Sequence, residues 1–340
     1  MIKKFDFHTD KVKILSSSKL IKRYYMKKLF FLSAVMAMVS TSFSMQYYAG
    51  KYRPDDDSGY DLKWSTCVWG NNVNFETLPL PGKPGANDYV SVRPGAKFNF
   101  EIDGNYTVHT FSSSDSARTY AKGRNLKFRK MFRASLATSN SQTTRSEWEK
   151  CNIECGGPLE ISYWQEARQA GKLLFVFDDT KLTLKGDLNC TIPANPEIVK
   201  NENRAGIDFT VVGASNILFN GGANVDSIIV DKNDEWMFKW TFKEKAGKLP
   251  YVFFNRRAEF EKCDIELVVS DKVKVGVYGL LEFQDRKSGI KNPRSVVING
   301  ETYKLGDEFK IGKLKGKLSL GAFGKRDKKT ENDLILTISK

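Results

Sequence analysis

The sequence predicts an all-β chain: a sandwich, a barrel or a solenoid. Three observations lead there. Short segments alternate apolar and polar residues at period two, as half-buried strands do. Gly, Pro, Asn and Asp punctuate them about every 8–12 residues. After residue 172 no long 3.6-residue amphipathic pattern interrupts the series.

The chain opens on a different kind of segment. Lys27 and Lys28 precede the apolar run Leu29 to Val39, and Ser42-Phe43-Ser44 supplies small residues at −3 and −1. That is the layout of a secretory signal peptide over Met26–Ser44. The run is well short of the roughly 20 residues needed to span a bilayer. Residues 1–25 precede a better start at Met26 and are expected to be an extension outside the functional chain. The mature protein is then residues 45–340, one domain that is secreted or held at the cell surface, with no transmembrane segment.

Charge supports the same division. The chain has 54 Lys and Arg against 40 Asp and Glu. Residues 1–44 hold nine of the bases and two of the acids, which leaves 45 against 38 in the remainder. A mild, dispersed positive charge is a weak footprint for nucleic acid, which is not expected as a partner. Acidic polysaccharide or another cell-surface component fits better. The mature part has five cysteines, Cys67, Cys151, Cys155, Cys190 and Cys263. An odd number leaves at least one free thiol in a monomer.

A polar, turn-like stretch runs from Tyr47 to Asp61 with Pro54 to Gly59 at its centre, and Trp64 and Trp69 flank Cys67. The Pro/Gly loop Pro79 to Asp88 leads into strand Tyr89 to Arg93. Phe98, Phe100 and Ile102 share one face of the next strand, and Asn105 to Val108 resumes after a turn. Residues 112–150 are rich in Ser, Thr, Arg and Lys and read as an insertion on the outside of the fold. Strands return at Leu173 to Phe177, Lys181 to Leu188, Ile207 to Val212, Ser215 to Phe219, Ser227 to Val230 and Glu235 to Lys243. Cys263 to Val269, Lys272 to Tyr278, Leu280 to Phe283, Ser295 to Ile298, Lys317 to Leu320 and Leu334 to Ile338 complete them. Gly213 to Asn216 and Gly221 to Asn224 read as corners of stacked coils.

Trp69, the loop Pro84-Gly85-Ala86-Asn87-Asp88, Tyr89 to Val92, Phe98 to Ile102, Asp103-Gly104 and Val108 resemble the first coil of exported right-handed parallel β-helix proteins. These are the pectin-lyase-like proteins and autotransporter passengers. Ile298-Asn299-Gly300, Tyr303, Leu305 to Ile311, Gly316, Leu318 to Phe323 and Leu334 to Ile338 are similar to the closing strands of such passengers. The resemblance implies a right-handed β-solenoid and an extracellular address, with β-sandwich as the alternative. It implies no catalytic set.

His109 is the single His after the leader, with Ser112, Ser113 and Ser114 beside it. A Ser-His-acid hydrolase would need it as base, and no Gly-x-Ser-x-Gly elbow is present. Asp178-Asp179 ends an apolar strand, but neighbours on a strand point to opposite faces and make a poor acid pair. A lyase would use cations such as Arg256, Arg257, Arg286 or Lys287. Asp55, Asp57 and Asp61, or Asp231, Asn233 and Glu235, place oxygens at alternate positions without matching a full calcium loop. Trp236, Phe238, Trp240 and Phe242 share one strand face, expected to be core rather than a sugar platform. Trp64, Trp69, Trp148 and Trp164 are weaker platform candidates. No catalytic residue, metal site or cofactor is expected, and the ligand-binding residues stay open. The expected function is that of a structural or adhesive surface protein. The alternative is a polysaccharide-degrading lyase or hydrolase, or a carbohydrate-binding module.

Overall fold

The computed structural model describes residues 45–50, 61–70, 82–92, 99–114, 118–136, 143–163, 172–191, 206–225, 237–324 and 331–340. All belong to one compact unit, Met45–Lys340. The leader, residues 1–25, Trp164, Ser227 to Val230 and Trp236 lie outside the described residues.

The described residues form strands and turns and no helix; the stretch from Tyr47 that reads as turn in the sequence begins within a strand, Gln46–Gly50, paired in parallel with Tyr89–Val92. Two long sheets dominate, one of sixteen strands and one of ten among the described residues. Their pairing is largely parallel, with each strand bonded to the strand one coil later. Thr143 pairs with Lys172, Lys172 with Gly206, Gly206 with Met237 and Asp264 with Ser295, so partners lie 29, 34, 31 and 31 residues apart. Stacked parallel strands at a near-constant offset are consistent with a β-solenoid.

A coil has three faces. Thr143–Glu149 lies on the first face, Asn152–Cys155 on the second and Leu159–Tyr163 on the third. The next coil repeats this with Lys172–Asp178, Lys181–Leu184 and Leu188–Thr191. The second and third faces belong to one sheet because the long strand Asn125–Leu136 pairs along both.

Period-two alternation fills the interior. Phe175, Phe209, Trp240, Ile265 and Val296 are register partners in successive coils, all buried. Ile153, Leu182, Ile217, Val252 and Leu281 make the same column on the second face. Rings stack along the axis: Phe175 on Phe209 at 4.8 Å and Phe219 on Phe254 at 4.4 Å between centroids.

The corners are built by chain geometry. Gly123, Lys150, Asp179 and Gly213 take positive φ at the end of successive first-face strands. Each donates its N–H to the last strand carbonyls of the following coil. Inside this corner Thr180 Oγ1 donates to the carbonyl of Trp148 at 2.7 Å, and Ser215 Oγ to that of Phe177 at 2.8 Å. At the second corner backbones touch. A Cβ on Gly156 would sit 2.0 Å from the Arg129 carbonyl oxygen, and one on Gly222 2.0 Å from that of Arg257. The expected corners at 213–216 and 221–224 are both present.

Residues 112–150 correct the expected outer insertion. Tyr106–Ser114, Arg118–Lys122, Asn125–Leu136 and Thr143–Glu149 are strands within the two long sheets. Several of their inward positions are hydroxyl residues: Ser113, Thr119, Thr144 and Ser146 are buried. Ser113 Oγ and Thr119 Oγ1 bond to each other at 3.0 Å, so these two buried hydroxyls satisfy one another. Phe111, Phe128, Phe132 and Trp148 supply the apolar volume of these coils.

A second correction concerns Lys272 to Tyr278. Lys272 to Val275 form a turn, and the strand is Gly276–Phe283. Val273 N–H closes back on the Ser270 carbonyl, and the Val273 side chain is buried inside the turn. The stack ends in antiparallel strands. Glu308–Ile311, Leu314–Gly321 and Asp333–Ser339 pair in a meander that joins Gly276–Phe283.

Candidate functional site

The outer side of the second face, on the sixteen-stranded sheet, carries a groove of about 440 Å³, within the roughly 300–1,000 Å³ of sites that hold small ligands. Period-two geometry makes it. Residues between the inward Leu126, Phe128, Ile153, Cys155, Leu182 and Leu184 must point outward. Those are Lys127 and Arg129 on one strand, Asn152 and Glu154 on the next, and Lys181 and Thr183 on the third.

The floor is the middle strand, whose outward residues shorten to Gly156 at the corner. Long cationic side chains flank it on both sides. Lys127 and Thr183 stand in register with Glu154, while Asn125 and Lys181 stand in register with Asn152. Lys185 follows at the corner, its N–H bonded to the Cys155 carbonyl at 3.0 Å. Arg129 Nη1 donates to Asn87 Oδ1 at 2.8 Å, which anchors the guanidinium toward the loop before Tyr89.

Four cations, Lys127, Arg129, Lys181 and Lys185, therefore surround one carboxylate, Glu154. Lys127 Nζ is 3.8 Å from Glu154 Oε2, both about 60% exposed, a contact too long for a hydrogen bond. A concave surface with a net positive lining, here four cations against one carboxylate, focuses potential and concentrates anions. The arrangement can hold an anion.

The other charged face is self-neutralised. On the first face, the ten-stranded sheet, Lys122 pairs with Glu149 at 2.7 Å, Lys239 with Glu266 at 2.5 Å and Arg118 with Glu147 at 2.5 Å. Asp264 is held by Arg294 and by Ser295 Oγ. Burial lifts the Asp208 carboxyl above its ordinary range, partly offset by Lys239 and by the Thr241 hydroxyl at 3.4 Å.

The residues singled out from sequence scatter. Asp178 and Asp179 are clamped by Lys245, whose Nζ lies 2.6 Å from Asp178 Oδ1 and 3.0 Å from Asp179 Oδ2. Burial works upward on Asp179, but the Ala214 N–H and Lys245 outweigh it and hold its carboxyl below the usual range. It is a fixed anion at a corner, with no proton to give. His109 is half-buried at a β-bulge, its Nδ1 3.2 Å from Thr110 Oγ1. Ser112, Ser113 and Ser114 are buried.

Arg257 pairs with Glu259 at 2.6 Å, away from the groove. Arg286 and Lys287 lie in a turn where Lys287 N–H donates to Asp285 Oδ1. Asp61 begins strand Asp61–Lys63; Asp55, Asp57, Asp231, Asn233 and Glu235 lie outside the described residues. Among the described residues, no three His, Cys, Asp or Glu side chains gather to hold a metal ion. No helix among them is long and apolar enough to cross a membrane.

Trp64, Trp69, Trp148 and Trp240 are all buried, so none of the four offers a sugar platform. Phe238 and Phe242 are buried with Trp240, as expected for a core face. Sequence reasoning missed the groove residues because they are separate in the chain. The signal was present as Lys127, Arg129, Lys181 and Lys185 at the polar positions of alternating strands. Comparison of the chain with protein-family models, with curated proteins and with solved structures gives no match, so the functional reading rests on this geometry.

Proposed function

We propose that this is an exported, non-catalytic β-solenoid of the cell surface that adheres to acidic polysaccharide through the Lys127–Arg129–Lys181–Lys185 groove. The carrying observation is that groove, with four cations on the exposed outer face of a parallel sheet. Export rests on the layout of residues 26–44. A right-handed coil, like that of the pectin-lyase-like and autotransporter-passenger proteins, rests on the strong preference of parallel crossovers for that hand. An adhesive role fits a rigid scaffold that repeats outward-facing positions coil after coil. It also fits the fate of Asp178 and Asp179, which are engaged with Lys245.

The test is binding of the purified mature chain to acidic and neutral polysaccharides. Acidic polymer should bind, neutral polymer should not, and affinity should fall as salt rises because the cations are exposed. Replacing Lys181 and Lys185 together by Ala should reduce acidic-polymer binding about tenfold or more with the circular dichroism of the native sheet retained. Equal binding of neutral polymer, or unchanged binding by the double variant, would overturn the reading. Hydrolysis or elimination of the polymer by the chain would replace adhesion with catalysis.

A further inference from the structure

We infer that Glu154 is the specificity residue of the groove and that its ligand is a glycan in which acidic sugars alternate with neutral ones. This rests on the reading of the groove as a polysaccharide site and deepens it.

The groove is not uniformly positive. Lys181 stands toward one end, in register with Asn152, and Lys185 and Arg129 stand at the other, beside Gly156. Lys181 and Lys185 are four residues apart, about 13 Å along an extended strand at ~3.3 Å per residue. Between these cationic poles the floor presents Glu154, with Thr183 in register on one side and Lys127 on the other. Glu154 is 60% exposed on its side chain, and Lys127 approaches it only to 3.8 Å. Its carboxylate oxygens are acceptors on the groove lining, exposed and without a hydrogen bond from Lys127 at that distance.

A polymer with a charge on every unit would place an anion against Glu154, and like charges in a focused cleft repel. Polyphosphate, nucleic acid and fully charged polyuronate all have that fault. An alternating glycan does not. Its acidic groups reach the two cationic poles, and the hydroxyls of the neutral sugar between them donate to Glu154. Thr183 can donate to or accept from the same ring. A hydrogen bond to a charged acceptor discriminates more strongly than a neutral one.

The experiment compares three probes with the purified mature chain: hyaluronate oligosaccharides, in which uronate alternates with a neutral sugar; polygalacturonate, charged at every sugar; and polyphosphate. Wild type should bind hyaluronate best. Glu154→Gln should weaken hyaluronate about tenfold, as expected for losing a charged acceptor, and should strengthen polygalacturonate and polyphosphate. The Lys181→Ala, Lys185→Ala double variant should weaken all three. If the double variant binds all three as wild type does, the groove is not the site and the proposed function fails with it. If the double variant loses binding while Glu154→Gln improves all three probes alike, or wild type prefers polyphosphate or polygalacturonate, the groove stands and the alternating ligand is wrong.

Discussion

Trp240 shows how tightly single residues are held. It is fully buried, with Phe209, Phe238 and Phe260 at 5.0, 5.4 and 5.5 Å between centroids. Trp240→Ala should cost about 3–5 kcal/mol, read as a lower denaturation midpoint. Its indole Nε1 has no hydrogen-bond acceptor among the described residues, so Trp240→Phe should cost much less. Equal losses for the two variants would mean that the N–H matters. Acid groups carry the pH dependence with opposite signs. Asp208 is raised by burial, so folding disfavours its charge. Its stabilising effect is present below the unfolded pKa and is lost as pH rises through the raised folded value. Asp208→Asn should therefore stabilise at neutral pH and do little in acid. Asp179 is lowered, so its contribution is present above the unfolded pKa and is lost as pH falls through the folded value. Asp179→Asn keeps a side chain tolerant of the positive φ of 47° and should remove that acid-side loss. Thermal melts from pH 3 to pH 8 check both. The paired polar groups were not legible in the sequence, because Lys245 is 67 residues from Asp178. The buried Trp240 was legible, because alternation alone assigns it to the face of Phe238 and Phe242.

At the scale of an element, alternation was a good guide wherever the inward residues were aliphatic or aromatic. Lys172–Asp178, Gly206–Val212 and Asn216–Phe219 fall where the period-two pattern puts them. It failed where the inward residues are Ser and Thr. Arg118–Lys122 buries Thr119 and Ala121, and Thr143–Glu149 buries Thr144, Ser146 and Trp148. Read for hydropathy, both segments look like loop. Their β-branched and hydroxyl content suits a strand whose partners satisfy it. The corner glycines were legible as turns, though the reason lies in the neighbouring coil. Gly222 is buried against the Arg257 carbonyl of the next coil, which leaves no room for a methyl group. Gly222→Ala should destabilise by about 1–3 kcal/mol by forcing the coils apart. Gly300→Ala, with open space around the added Cβ at a φ of 88°, isolates backbone strain alone. Chemical denaturation of the two variants should show the larger loss at Gly222.

At the scale of the whole molecule, a stack of coils needs ends. Each coil buries its faces on its neighbours, so the terminal coils would otherwise present open strand edges to water and to other chains. The antiparallel meander at the C-terminal end meets this need. Asp333–Ser339 pairs with Gly276–Phe283, and Leu314–Gly321 pairs with Asp333–Ser339. Leu318, Leu334, Leu336 and Ile338 are buried there. The last strand, Glu308–Ile311, stands at the end of the sixteen-stranded sheet. Its exposed Lys310 lies directly opposite Lys315, and Glu308 opposite Lys317. Like charges facing each other cost local stability, yet lysines on an edge deter a second strand from docking. That trade favours an unpaired end over the strongest hairpin. Replacing Lys310 and Lys315 together by Thr should therefore raise or preserve the melting temperature while the protein begins to self-associate. Deleting residues 306–340 should do worse, since it strips Gly276–Phe283 of its antiparallel partner and uncovers Leu281 and Phe283. Light scattering of the three proteins across a concentration series checks the argument. A double Lys variant that stays monomeric at every concentration, with no gain in melting temperature, would show that the facing lysines do not guard the edge.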